Sequence, residues 1–94
     1  AQRALQEAYR VDARSVPVLR AIGVMMHAKG SSAEAIQWLQ GAAAIDPSDA
    51  ETRYQLAACY AAQGRRNEAM VEYGVVCNLD GALATKLYYL LGGR

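Results

Sequence analysis

A 34-residue spacing between equivalent residues constrains this chain more than any other feature of its sequence. A fixed period of this length is typical of stacked supersecondary units, because one such unit cannot bury its apolar face alone. The equivalent pairs are Ile22 and Leu56, Gly30 and Gly64, Glu34 and Glu68, Ala35 and Ala69, Leu39 and Tyr73, Ile45 and Leu79, and Asp46 and Asp80.

Within each unit, apolar and small residues recur at the three- and four-residue offsets of an amphipathic helix. Gly30 and Gly64 follow the first helix of their units, where glycine enters the left-handed conformation of a helix C-terminus without steric cost. The sequence therefore predicts two helices per unit, joined by a tight turn. The predicted buried stripes are Leu19, Ile22, Gly23 and Met26; Ala35, Ile36, Leu39, Ala42 and Ile45; and Leu56, Ala57 and Tyr60.

Short polar motifs predict where the helices begin and end. Pro47 has no amide hydrogen and disfavours a helical Asp46, so the helix ending near Ile45 cannot continue through it. A serine followed three residues later by glutamate is the pattern of a capping box. The predicted helix starts are Ser15 with Pro17 in the first turn, Ser31 with Glu34 before a helix Ser32–Ile45, Ser48 with Glu51, and Asn67.

The period predicts a single domain made of stacked units. Ala1, Leu5, Ala8 and Val11 stand 34 residues before residues of the helix Ser32–Ile45. The predicted divisions are 1–15 as the second helix of a truncated unit, 16–49 and 50–83 as complete units, and 84–94 as a terminal or capping helix. A start without methionine or a targeting segment predicts a piece cut from a longer chain.

These positions resemble the signature of the tetratricopeptide repeat, which has the same period. The resemblance implies an all-α fold, a right-handed superhelix of antiparallel helix pairs. It also implies that the first helices line a concave groove for peptides or helices of partner proteins. The matching residues are Leu19, Ile22-Gly23, Met26, Ala35, Leu39 and Pro47 in the first unit, and Leu56-Ala57, Tyr60, Ala69 and Tyr73 in the second; Arg53 and Gly81 depart from the signature.

Mapped onto this chain, the resemblance implies a set of groove-facing residues on the first helices. Arg20 would pair with a partner carboxylate, and Tyr54 would offer a broad surface with a polar tip. Each residue is also open to the interpretation of an ordinary solvent-facing or packing side chain. The set comprises Arg20, Val24, His27, Tyr54, Ala58, Ala61 and Tyr88.

The family's clamp for C-terminal carboxylates is not expected here. Its positions correspond to Arg20, Val24, Gln55, Thr85 and Tyr89, of which only Arg20 keeps the required charge. The main prediction is therefore a non-catalytic protein-interaction module of another specificity, acting as a scaffold, assembly factor or co-chaperone.

Self-association is the second functional hypothesis. Incomplete units at both ends would leave apolar stripes uncovered, and solenoids without polar caps associate end to end. Such a module would be a homo-oligomer. The candidate residues are Leu5 and Val11 near the N-terminus, and Leu87, Leu90 and Leu91 near the C-terminus.

Charge and composition argue against other classes of function. Ten Lys and Arg against nine Asp and Glu leave a net charge of +1, too little for a grip on nucleic-acid phosphates. No apolar run approaches the roughly 20 residues of a membrane span. His27 is the single histidine and has no nucleophile or carboxylate at a converging spacing. We therefore expect no nucleic-acid partner, no membrane insertion, no enzymatic activity, no metal and no cofactor.

The cysteine pair and the composition bear on the environment of the protein. Cys59 and Cys77 match no zinc or redox spacing, so we expect two reduced, buried thiols; the alternative is a disulfide formed in an oxidising compartment. Trp38 is predicted to be a core or inter-unit contact, with an exposed interface anchor as the alternative. A composition rich in alanine, with arginine favoured over lysine, indicates a bacterial gene. Cytoplasm and periplasm both remain open.

Overall fold

The computed structural model describes residues 15–92 of the chain. They form five helices and, within this range, no strand. None of these helices is long and apolar enough to cross a membrane. The predicted second helix of a truncated unit, with Leu5 and Val11, lies outside the described residues. The helices are α1 (Val16–Ala28), α2 (Ser32–Ile45), α3 (Ala50–Ala62), α4 (Arg66–Leu79) and α5 (Gly81–Leu90).

Two glycines close the tight turns inside the helix pairs, as predicted. Gly30 and Gly64 have φ angles of 87° and 74°, which lie in the left-handed region that glycine enters freely. After α1, the amide of Ser31 donates to the carbonyl of Met26 at 2.8 Å, which satisfies one of the orphan carbonyls of the helix end. The second turn repeats this geometry around Gly64.

A close crossing joins α1 to α2. A Cβ atom added to Gly23 would lie 2.6 Å from Leu39 Cγ and 3.3 Å from the Ala35 carbonyl oxygen. At the equivalent crossing of α3 and α4, Ala57 is fully buried and Tyr73 stands in the place of Leu39. A small residue is thus required at the first crossing, and its size is matched to the residue opposite.

Two apolar clusters form the core. The predicted stripes are buried as expected, with one exception: Ile45 is exposed because it is the last residue of α2, where the chain turns into the joint, and its equivalent Leu79 is exposed too. The first cluster contains Ile22, Met26, Ala35, Ile36, Leu39, Ala43, Leu56, Cys59, Tyr60 and Ala69. The second contains Ala57, Val76, Ala84 and Leu87.

The spacing of the helices gives the stack a curvature. Cα atoms of α1 approach those of α3 within 8 Å, and Cα atoms of α3 approach those of α5 in the same way. No such approach joins α2 to α4 in the described part of the chain. Since the first helices α1, α3 and α5 lie closer together than the second helices, they occupy the inner side of the curve.

The joint between α2 and α3 differs from its prediction by one residue. The N-cap of α3 is Asp49, not Ser48. The Ser48 amide instead donates to the Asp46 carboxylate at 3.1 Å, which holds Ser48 inside the turn. The Asp49 carboxylate accepts hydrogen bonds from the Thr52 hydroxyl and from the Arg20 guanidinium. The Asp49 side chain makes no hydrogen bond to a backbone amide of α3, so it acts through these two side-chain contacts.

The other helix starts agree with the sequence only in part. The Ser15 hydroxyl accepts from the Val18 amide at 3.4 Å, as expected of a cap. Ser31 is the N-cap residue of α2, but its side chain makes no capping hydrogen bond. Asn67 lies inside α4, whose N-cap residue is Arg65. The capping box at Ser31 and the cap at Asn67 were therefore wrong.

Helix α5 begins at Gly81, three residues before its predicted start at 84. The Asp80 carboxylate caps it, accepting from the Leu83 amide at 3.1 Å. The residues equivalent to Pro47, Ser48 and Asp49 are Gly81, Ala82 and Leu83. Alanine and leucine side chains cannot cap a helix, so the nearest capable residue does so.

The early start of α5 decides which of its leucines are buried. Leu87 is 0% exposed and lies in the second cluster, whereas Leu90 is 53% exposed. Leu91 is half-buried and packs against both clusters. The prediction that Leu87 takes part in self-association was therefore wrong, because its side chain is buried in the core. Leu90, which was also predicted as a self-association residue, is exposed although its equivalent Leu56 is buried.

Candidate functional site

The predicted groove residues of α1 and α3 share one face on each helix. Arg20, Val24 and His27 follow one another at spacings of four and three residues, and the three residues Tyr54, Ala58 and Ala61 repeat that pattern in α3. Such spacings place side chains on one side of a helix. Val24 and Ala61 are exposed, and the other four are half-buried. We call this set of six residues the inner face.

Arg20 is committed to an internal ion pair. Its guanidinium donates to the Asp49 carboxylate, and both side chains are largely shielded from solvent. Because Asp49 is the N-cap residue of α3, this pair ties α1 to the start of the next unit. A partner carboxylate would have to compete with Asp49 for Arg20, so the predicted role of Arg20 in binding loses support.

His27 also makes an internal contact. Its ring nitrogen Nδ1 lies 3.0 Å from the hydroxyl oxygen of Ser32. This hydrogen bond links the last turn of α1 to the first residue of α2, across the glycine turn. The half-buried ring therefore contributes to holding the helix pair as well as to the inner face.

At the Tyr54 end, the inner face is bordered by the Lys86 ammonium, which the sequence analysis did not predict as a site residue. Tyr54 packs against the second cluster, and the Lys86 ammonium lies 5.9 Å from the centre of its ring. Leu90 follows Lys86 by one helical turn and is exposed. Only the early start of α5 brings Lys86 to Tyr54, because in the strict 34-residue register its position corresponds to Thr52.

Tyr88 lies away from the inner face. Its ring centroid is 6.3 Å from that of Tyr73 in α4, on the flank of α5 opposite to Lys86. The 34-residue register equates Tyr88 with Tyr54, but the early start of α5 turns Tyr88 toward α4. The prediction that Tyr88 faces the groove therefore loses support.

A small recess opens between α4 and α5. Sequence reasoning missed it, because it depends on how α5 is rotated. Its volume is about 120 Å³. A hydrogen bond with the Cys77 thiol raises the pKa of the Tyr73 phenol in its wall. We call this recess between α4 and α5 the outer recess. Its lining residues are Arg66, Met70, Tyr73, Tyr88, Leu91 and Gly92.

Arg53, one of the two departures from the signature, has a structural explanation. Its guanidinium Nη1 lies 3.1 Å from Glu72 Oε1 in α4, and its Nε donates to the Pro47 carbonyl at 3.3 Å. The ion pair replaces apolar packing in the second unit. In the first unit, the residue equivalent to Glu72 is Trp38, which packs against the first cluster as expected.

The remaining candidates for chemistry are the two cysteines, which are both free thiols. Cys59 is buried as predicted, and burial raises its pKa to about 11. Cys77 is exposed, so the prediction of two buried thiols was wrong for this residue. Its equivalent Ala43 is covered by α3, whereas α5 leaves this part of α4 open. Within residues 15–92, no group of His, Cys, Asp and Glu side chains could hold a metal ion.

The geometry defines an all-α helical repeat protein with a curved stack of helix pairs. A family model of the tetratricopeptide repeat matches residues 26–75, which is more than half of the chain, and the chain belongs to this family. The resemblance in the sequence is thereby confirmed. Tetratricopeptide repeats are generally protein-interaction modules and are typically non-catalytic. A search of curated proteins finds no match to the chain.

Proposed function

We propose that this chain is a non-catalytic recognition module whose inner face binds a peptide or helix of a partner protein. One observation carries the proposal: α1 and α3 lie on the inner side of the curve, and three of the six inner-face side chains are small or apolar. Val24, Ala58 and Ala61 leave room for a partner backbone to approach closely. The parent protein would use the module as a scaffold, an assembly factor or a co-chaperone.

The charges of the inner face define the expected partner segment. Arg20 is neutralised by Asp49, so the α1 end of the face favours apolar contacts. Lys86 lies beside Tyr54 at the other end and makes no ion pair in the described part of the chain. The segment that fits is mostly apolar, because unpaired charges buried at an interface cost binding energy.

Site-specific photo-crosslinking tests this proposal. A photoreactive side chain is placed at Val24 or Ala61 on the inner face, and in a matched control at Gln37, which is exposed on α2. We expect protein adducts from the first two positions and few from the third. Equal adduct yields at all three positions would remove the support for the inner face.

The crosslinked partner then allows a direct affinity measurement. Ala58→Glu places a charge in the centre of the face and should weaken binding by at least about tenfold, since a buried unpaired charge is costly. Circular dichroism of the variant shows whether the fold is retained. Unchanged affinity in a folded variant would contradict the proposal.

Self-association through α5 is the second candidate function. It is favoured by three exposed side chains at the end of the described chain, Tyr88, Tyr89 and Leu90. Leu91 is half-buried and contributes only part of its surface. Light scattering over a concentration series should then show an oligomer that Leu90→Glu dissociates. A monomer at all concentrations would rule this candidate out.

A further inference from the structure

Two equivalent helix faces are covered differently. On α2, Ile36 and Ala43 are 4% and 7% exposed; on α4, their equivalent Met70 is 48% exposed and Cys77 is exposed too. Helix α3 has thirteen residues and covers α2, whereas α5 has ten, begins three residues early and covers less of α4. An apolar strip of α4 is therefore open where its counterpart belongs to the core.

The outer recess lies on this strip. Its walls are Met70 and Tyr73 from α4, and Tyr88 and Leu91 beyond them. A cavity of roughly 150 Å³ holds a benzene ring. The recess is smaller, at about 120 Å³, and takes the end of one apolar side chain. A second recess adjoins it along the same strip, sharing Met70 and Leu91 and continuing to Ala61.

A cation stands at the edge of both recesses. Arg66 lines each of them, and its guanidinium makes no ion pair within residues 15–92. The neighbouring Arg65 is committed to Glu68 at 2.6 Å and stacks over the Tyr60 ring. Arg66 is therefore the group that a carboxylate approaching the outer recess would meet.

The first unit shows what kind of element covers such a strip. The side chains that share the first cluster with Ile36 and Ala43 include Leu56, Cys59 and Tyr60 of α3. Their spacings of three and four residues are those of one helix face. By analogy, the open apolar strip of α4 is suited to contact a helix that has one apolar face.

We propose that the outer recess is a second docking site, which binds an amphipathic helix of a partner protein. A large apolar side chain of that helix enters the recess, and a carboxylate one turn away pairs with Arg66. None of the six inner-face residues lines the outer recess, so this second site is tested separately from the function proposed above.

The chain itself supplies a suitable probe. We would use a fluorescein-labelled peptide of residues 49–63, the α3 segment that covers α2, under reducing conditions. A Gln63→Glu change adds the carboxylate one turn beyond Tyr60. The matched peptide carries Gln63→Lys. Fluorescence anisotropy with the whole chain then reports binding, and wild-type protein should prefer the glutamate peptide by about tenfold, the scale of one charge-assisted contact.

Three protein variants locate the binding site. Met70→Glu should weaken binding at least about tenfold, because it places a charge in the wall of the recess. Val71→Glu is the matched control, because Val71 is adjacent and exposed but does not line the recess. The affinity of this variant for the glutamate peptide should equal that of the wild type. Arg66→Glu should reverse the preference and favour the lysine peptide.

Several outcomes would overturn the proposal. They are the absence of binding by wild-type protein, equal losses for Met70→Glu and Val71→Glu, and a peptide preference that Arg66→Glu does not change. Light scattering of the unliganded protein provides a further test. If the wild type is an oligomer that Met70→Glu dissociates, a second copy covers the recess and the partner helix is excluded.

Discussion

The two joints that follow α2 and α4 begin with equivalent aspartates and end differently. After Asp46, three residues precede the next helix, and the Arg20–Asp49 ion pair anchors that helix. After Asp80, the next helix starts at once. The residues equivalent to Arg20 and Asp49 are Tyr54 and Leu83, which both pack against the second cluster. An ionic anchor at one joint is thus replaced by an apolar contact at the other.

This difference shows how a strict sequence period can produce unequal units. The Asp80 carboxylate caps α5 by accepting from the Leu83 amide, and none of the three residues after Asp80 carries a side chain that could cap a later start. The following helix is therefore advanced by three residues, which is close to one turn but not equal to it. Its faces are rotated, α4 is left partly open, and the outer recess results.

The largest expected effect concerns the rotation of α5. Leu87→Ala should destabilise the protein by about 2–5 kcal/mol, because it leaves a cavity in the second cluster. Leu90→Ala should change stability by less than about 0.5 kcal/mol, as is usual for an exposed site. Urea denaturation of both variants measures the difference. A larger loss for Leu90→Ala would place α5 in the register of α3 and make the two joints alike.

A smaller effect is expected at the crossing of α1 and α2. Gly23→Ala should cost about 1–3 kcal/mol, because the new methyl group overlaps Leu39 and forces the two helices apart. Helix propensity alone would predict a gain of about 1 kcal/mol from the same change. Thermal unfolding distinguishes the two signs. Leu39→Ala in the same chain should relieve part of the penalty, which a double-mutant cycle would detect.

The ionic anchor of the first joint should contribute about 1–2 kcal/mol. Asp49→Ala removes the N-cap residue of α3 together with the partners of Arg20 and Thr52. Asp80→Ala removes only a cap and should cost about 1 kcal/mol. Urea titrations at low and high salt distinguish the two variants. Only Asp49→Ala removes an ion pair, so only its loss of unfolding free energy should depend on salt. Equal losses with equal salt dependence would show that the Arg20 contact adds nothing.

Thiol labelling needs no substitution and compares the covering of α2 and α4. At pH 8, Cys59 with its pKa of about 11 is about one thousandth thiolate, the reactive form. Burial shields it further, so native alkylation should modify Cys77 alone, as mass spectrometry of peptides would show. Because its pKa is raised, Cys59 should react only as the pH approaches 11 or when the chain unfolds. Protection of Cys77 would mean that α4 is covered as α2 is.

Much of the architecture could be predicted from short stretches of sequence. The glycine turns depend on the freedom of a single residue to adopt positive φ, and the buried stripes depend on spacings within one helix. The early start of α5 was also accessible, because Ala82 and Leu83 offer no capping group. The 34-residue period instead predicts a start at 84 and equates Tyr88 with Tyr54, and the early start of α5 breaks that equivalence.

The sequence by itself determined the period, the helix pairs and their buried faces, because these follow from interactions between residues a few positions apart. Tertiary structure decided which candidate side chains remain available. Arg20 meets Asp49 across 29 residues, Lys86 meets Tyr54, and Leu87 enters a cluster shared by three helices. Such contacts depend on how whole helices are rotated and packed, which no local spacing specifies. The outer recess belongs to this second category, since it exists only because α5 covers less of α4 than α3 covers of α2.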